Sequence, residues 1–229
     1  MPQILFVRHA QASAHAQDYD QLSERGHLQA DALGAWLVEH QYRFDAVYAG
    51  SMHRQQQTLV QIQRAFKRAS QAFPEPRSEV SLNEYDFRAV LGAYAAAHPD
   101  DPDLQIALSG TTSAWLKVLK RALLAWARGL VGAENLETWV DFQIRVAAVA
   151  KMLAQQDGDI LVVSSGGVIS LFAQRALGLP DESVIALNLA LENTGHCHFR
   201  VSRTGWYLQS FNALPHLAQA AQQQLHTLI

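Results

Sequence analysis

Arg8 and His9 close a short all-apolar run, residues 4–7. A strand buried on both faces of a parallel sheet has this composition, and in such a sheet ligands bind beyond the carboxyl ends of the strands. Two more places repeat the arrangement. A second apolar run, residues 46–49, leads through Gly50 to Ser51, Met52, His53 and Arg54 at the start of a helical pattern. A third, residues 159–163, leads to Ser164, Ser165, Gly166 and Gly167, again where a helix begins. Two arginines, a histidine, a hydroxyl pair and two helix N-termini are therefore expected around one crevice. Helix N-termini offer free N–H groups and a positive dipole end to anions, and the guanidinium fork suits phosphate oxygens. The expected ligand is a phosphate or a carboxylate.

For these side chains to meet, the three strands must lie in one sheet. Ser23 is a plausible N-cap, and Leu28, Ala32, Leu33, Trp36 and Leu37 recur after it at helical spacing. Leu59, Ile62 and Phe66 mark one face of the helix that carries Arg54, and Phe142, Val146, Val149 and Leu153 mark another just before the third strand. Alternating strands and helices predict an α/β fold, a three-layer sandwich whose mostly parallel central sheet has helices on both faces. From Gly195 the pattern becomes strand, turn at residues 203–205, strand: an edge hairpin. Residues 73–83 read as a Pro-containing connection, and the residues after Pro215 as a Gln-rich helix. Residues 88–132 read mainly as helix, broken at 98–102, and no linker marks either border. They are expected to form a helical cap inserted into a single domain, residues 1–229.

Composition narrows the function classes. Of 229 residues, 49% are hydrophobic and 17% charged, which excludes a disordered chain or a coiled coil. A net charge of -3 argues against a dedicated nucleic-acid binder but leaves room for a small anion held by local arginines. No apolar run approaches the roughly 18 residues of a membrane span. Cys197 is the only cysteine, so no internal disulfide can form, and a reducing, cytoplasmic compartment is expected. The N-terminus reads as a strand beginning at once and not as a signal peptide.

Several ordered stretches together resemble the histidine phosphatase superfamily, the phosphoglycerate mutase-like group. Arg8-His9-Ala10 stands where that family has Arg-His-Gly, followed by the stretch 19–26. The stretch 48–58 matches the segment with the family's second arginine, here Arg54. Residues 82–84 match the segment that supplies its acid, here Glu84. Residues 160–179 look like its second-histidine segment, and residues 192–195 with the hairpin after them look like its closing strands. The resemblance implies that His9 attacks phosphorus and carries a phosphohistidine. It implies that Arg8 and Arg54 hold the phosphoryl oxygens, and that Glu84 protonates the leaving oxygen and later activates water. No metal and no cofactor is implied, because the arginines take the electrostatic role. The substrate would be a small phosphorylated compound or a phosphoprotein.

Two positions depart from the family. Ala10 replaces a glycine, which is tolerable if its φ stays below zero. Ser165 replaces the second histidine, which donates to a phosphoryl oxygen. A serine hydroxyl could still contact phosphate there, but it is shorter and neutral. His53, His15 and His196 are the candidates for a substitute donor. Loss of one such donor costs roughly 10²–10³ in rate elsewhere. The function implied is a phosphatase acting on a phosphomonoester; the alternative is a homologue that binds a phosphate ligand with weak or no turnover. Asp86 competes with Glu84 for the acid's role. A serine hydrolase is disfavoured because Val162 and Val163, not glycine, stand two residues before Ser164 and Ser165. A mutase is disfavoured because residues 84–132 are not notably basic. His196 and His198 share one face of a strand and Cys197 the other, too few ligands for zinc. The tryptophans of the cap, Trp115 and Trp126, read first as packing, with some lining a substrate mouth. That would suit an apolar leaving group.

Overall fold

The first strand is buried on both faces because its alternate residues serve two cores. In the computed structural model, whose described residues are 1–13, 20–108, 112–218 and 222–228, β1 spans Gln3–Arg8. Ile4 and Phe6 enter one core, Leu5 and Val7 the other. The chain continues as α1 (Glu24–Glu39), β2 (Ala46–Ala49), α2 (His53–Arg68) and the two-residue β3 (Arg77–Ser78). A 3-10 turn at Val80–Leu82 precedes α3 (Phe87–Ala97), α4 (Pro102–Leu108) and α5 (Thr112–Ala127). Then come α6 (Trp139–Ala154), β4 (Asp159–Ser164), α7 (Gly166–Leu177), α8 (Asp181–Ala190), β5 (His196–Ser202) and β6 (Gly205–Ala213).

The six strands form one sheet in the order β3-β2-β4-β1-β5-β6. The first four are mutually parallel, and the hairpin β5–β6 adds antiparallel to β1. Leu33 and Leu37 of α1 with Leu59, Ile62 and Phe66 of α2 cover one face, against Val47, Leu161 and Val163. Phe142, Val146, Val149 and Leu153 of α6 and Ile169 and Phe172 of α7 cover the other, against Phe6, Ile160 and Val162. The ring of Phe6 lies 4.4 Å from that of Phe172. This is the predicted α/β sandwich. The strand order reverses between β1 and β4, so the carboxyl ends of those two strands open the crevice in which such sheets bind ligands.

Ser23 does cap α1, its hydroxyl accepting from the Gly26 N–H at 3.0 Å. The region between β3 and α6 is helical, but as three helices. The first starts at Asp86, whose carboxylate accepts from the Arg88 and Ala89 N–H groups. One expectation fails and one element was not foreseen. The described residues after Pro215 form no long helix: 3-10 turns occupy Pro215–Leu217 and Gln223–Leu225. The Leu225 and Leu228 carbonyls accept from the side chains of Gln29 and Arg8, and the Asn193 N–H donates to the Thr227 carbonyl. Partners that a helix would supply locally come here from the body of the molecule. Helix α8 was also not legible, because the apolar residues of 185–191 run together without a helical period; Pro180 and the acidic pair Asp181 and Glu182 open it.

Candidate active site

Arg8 ends β1, and His9 follows with only 7% of its surface exposed. The His9 N–H donates to the Ser164 carbonyl at 2.8 Å, and Asn193 Nδ2 donates to the His9 carbonyl at 3.2 Å. The backbone of the histidine is thus held between the ends of β4 and the approach to β5. Its ring is held as well. Nδ1 lies 2.8 Å from the Ala10 carbonyl, which can only accept, so Nδ1 carries the proton. Nε2 lies 3.1 Å from Arg54 Nε, which can only donate, so Nε2 presents a lone pair. Burial, and then the charges of Arg54 and Arg8, hold this imidazole well below its ordinary pKa and keep it neutral. Ala10 is buried and does not have positive φ, so the added methyl is accommodated.

Arg54 stands in the first turn of α2 and is 8% exposed. Its Nη1 pairs with Asp20 at 2.5 Å, and the other oxygen of Asp20 accepts from the His53 N–H at 2.7 Å. Thr58, one turn further along α2, accepts from the Ala10 N–H at 3.0 Å and donates to the Arg54 carbonyl at 2.7 Å. This couples the loop after β1 to the helix that carries the second arginine. Arg8 Nη1 donates to the Leu191 carbonyl and, at 2.8 Å, to the Leu228 carbonyl.

Glu84 completes the group, and its position is built from three sides. Arg145 of α6 donates through Nη1 to the Ser81 and Asn83 carbonyls at 2.9 and 2.8 Å. The same guanidinium pairs with both oxygens of Glu137 at 2.8 Å. The Leu82 carbonyl between them accepts from Ser164 Oγ at 2.7 Å and from Gln55 Nε2 at 3.2 Å. The carboxylate itself accepts from the Gly167 N–H at 2.9 Å. A β-carbon on Gly167 would lie 2.4 Å from Glu84 Oε1, so only glycine allows this approach. Burial raises the pKa of Glu84, and two backbone N–H groups and the two arginines only partly oppose it. Asp86, the competing acid, is exposed and spent on capping α3.

Arg8, His9, Arg54 and Glu84 line one cavity. Ser165 does not. It is fully buried, and its hydroxyl accepts from Gln55 Nε2 at 2.8 Å. The hydroxyl for which a phosphate contact was expected is thus engaged by the Gln55 amide, away from the residues that line the cavity. Of the substitute donors, His53 is exposed and His196 is buried against Trp36 and His216; His15 lies outside the described residues. Of the two cap tryptophans, Trp126 is packed and donates to the Glu137 carbonyl, whereas Trp115 lines the cavity. Asp20, Thr58, Asn193 and Arg145 had no sequence signal beyond lying in or near the matched stretches. Among the described residues no helix is long and apolar enough to cross a membrane, and no cluster of three His, Cys, Asp or Glu could hold a metal ion.

Comparison with protein families matches residues 4–214 to the profile described as histidine phosphatase superfamily (branch 1). A comparison with curated proteins finds no match. Among solved structures, a putative alpha-ribazole-5'-P phosphatase from Escherichia coli is similar at 22% identity and a TM-score of 0.64, covering 92% of this chain and 96% of that one. A phosphoserine phosphatase mutant from Entamoeba histolytica is similar at 17% identity and a TM-score of 0.64, covering 95% and 100%. A mycobacterial glucosyl-3-phosphoglycerate phosphatase with inorganic phosphate is similar at 21% identity and a TM-score of 0.62, covering 94% and 99%.

Proposed function

Because the chain belongs to the histidine phosphatase superfamily, we propose that it hydrolyses phosphomonoesters through a phosphohistidine on His9. In this reading Arg8 and Arg54 are the phosphate ligands and Glu84 is the general acid and then base. The observation that carries the reading is the tautomer of His9. A neutral ring with Nδ1–H fixed on the Ala10 carbonyl leaves Nε2 a lone pair, held by Arg54 Nε, beside a cavity that Arg8, Arg54 and Glu84 share. A nucleophilic imidazole needs that arrangement.

Substrate phosphate takes the guanidinium of Arg54, releasing Nε2. Nε2 attacks phosphorus, the bond from phosphorus to the ester oxygen breaks, and protonated Glu84 gives its proton to the departing alkoxide. Water then attacks the phosphohistidine, Glu84 takes one proton from it, and inorganic phosphate and the Nε2 lone pair are restored. The two arginines supply the positive charge that the transition state requires, so the scheme asks for no metal ion or cofactor. The similar phosphatases are named for chemically different esters, which supports the reaction without selecting a substrate.

The test is hydrolysis of an aryl phosphate in EDTA beside His9→Ala. Turnover that survives EDTA and disappears in the variant is expected, together with a phosphohistidine trapped by rapid quench. Equal rates in both proteins would overturn the assignment. One observation favours a second reading, a phosphate binder without turnover: the hydroxyl of Ser165 faces Gln55, and Ser165 is not among the residues that line the cavity. That reading expects saturable phosphate binding and no His9-dependent hydrolysis.

A further inference from the structure

The walls of the cavity combine charged and apolar side chains. Among the described residues, Arg8, His9, Arg54 and Glu84 are the charged or imidazole side chains of its walls. The space next to them is bounded by Phe87 from the start of α3, by Trp115, Leu116 and Leu119 from α5, and by Leu189 from α8. The rings of Phe87 and Trp115 meet edge to face at 6.2 Å. The polar groups within reach are Tyr85 and Asn188, and these are joined to each other, Asn188 Nδ2 donating to the Tyr85 hydroxyl at 2.7 Å. Once the phosphate is seated on the arginines, the rest of the substrate therefore meets aromatic and aliphatic carbon.

We infer that the site is built for phosphomonoesters of uncharged, apolar alcohols, with Trp115 and Leu116 as the residues that select the leaving group. The inference rests on the hydrolase reading above and adds the substrate class to it. A carboxylate or ammonium on the leaving group would be desolvated against Trp115, Leu116, Leu119 and Leu189, side chains that carry no charge, which is costly. An alkyl or aryl group there gains by leaving water. Trp115, Leu116 and Leu119 share little more than one turn of α5, so the preference is a property of the helix and not of a loop.

The experiment compares 3-phenylpropyl phosphate with glycerol 3-phosphate and 3-phosphoglycerate, three esters of aliphatic alcohols, so that leaving-group acidity varies little. The phenylpropyl ester should be preferred by roughly tenfold or more in kcat/KM, chiefly through KM. Leu116→Arg should lower that preference and raise turnover of 3-phosphoglycerate, whereas Leu116→Met should retain the wild-type order. His9-dependent turnover that is equal for the three esters, or that favours 3-phosphoglycerate, overturns the inference and leaves the hydrolase reading standing. Calorimetry with 3-phenylpropylphosphonate and 3-phosphonopropanoate decides the matter even if no ester is turned over. Tighter binding of the apolar phosphonate supports the inference, and equal or weaker binding overturns it.

Discussion

At the scale of single residues, the site depends on two groups pushed in opposite directions. Burial and the arginines lower the pKa of His9, and burial raises that of Glu84. The proposed reaction uses His9 neutral and Glu84 protonated. The lowered histidine keeps the nucleophile available as pH falls below the ordinary imidazole value. The raised carboxyl keeps the acid available as pH rises above the ordinary carboxylate value. The expected profile of kcat/KM is a bell, rising with His9 below the ordinary imidazole range and falling with Glu84 above the ordinary carboxylate range. Glu84→Gln should remove the falling limb and lower kcat by roughly 10²–10⁴, with a larger loss for an alkyl ester than for a nitrophenyl ester, which needs less protonation. A falling limb that persists in the variant would assign it to another group. Ser165 gives the opposite expectation. Ser165→Ala deletes an acceptor for Gln55, whose Nε2 keeps the Leu82 carbonyl. Stability should drop by about 1 kcal/mol while kcat/KM stays within a few fold. A hundredfold loss would place the hydroxyl on the phosphate after all.

At the scale of elements, the segment that ends in Glu84 is held mainly from outside itself. It has one 3-10 turn of its own, and the carbonyls of Ser81, Leu82 and Asn83 are each captured by side chains of other elements. Arg145 is the largest contributor, since one guanidinium spans two carbonyls and a carboxylate. It touches no reacting atom, so its effect would be on position. Arg145→Ala should lower kcat about tenfold or more with little change in KM, and should shift the falling limb of the pH profile as Glu84 loses its fixed surroundings. Arg145→Lys should fail to restore either, because an ammonium lacks the planar fork that bridges these partners. Loss of thermal stability with an unchanged profile would mark Arg145 as structural only.

At the scale of the whole molecule, the described segment Gln222–Leu228 closes one side of the cavity. The buried amide of Gln29 donates to the Leu225 carbonyl at 2.6 Å and to Thr227 Oγ1 at 2.7 Å. Thr227 Oγ1 donates in turn to Asn193 Oδ1 at 2.9 Å, and His226 lies 2.8 Å from Glu192. Leu228 lines the cavity, and its carbonyl holds Arg8 Nη1. If Arg8 holds phosphate as proposed, this segment and the phosphate would compete for part of one guanidinium. Truncation after Gln222 should tighten binding of inorganic phosphate several-fold by calorimetry. Unchanged affinity would show that the Leu228 carbonyl and the phosphate use different faces of Arg8.

The identities and order of the chemical groups were legible in the sequence. The apolar runs 4–7, 46–49 and 159–163 specify strands because both faces of each must be buried, and that alone places Arg8, His9, Arg54 and Ser165 at the sheet's carboxyl edge. The histidine phosphatase resemblance then added Glu84. Tertiary structure decided what those positions do to one another. Only it turned Ser165 onto Gln55, spent Asp86 on a helix cap and left Glu84 beside Gly167. Only it brought Arg145 and the Leu228 carbonyl to residues that are distant in the chain. Strand burial leaves a periodic trace that a single chain displays. A hydrogen bond between distant side chains leaves none, because its partners are chosen by where the packed elements set them.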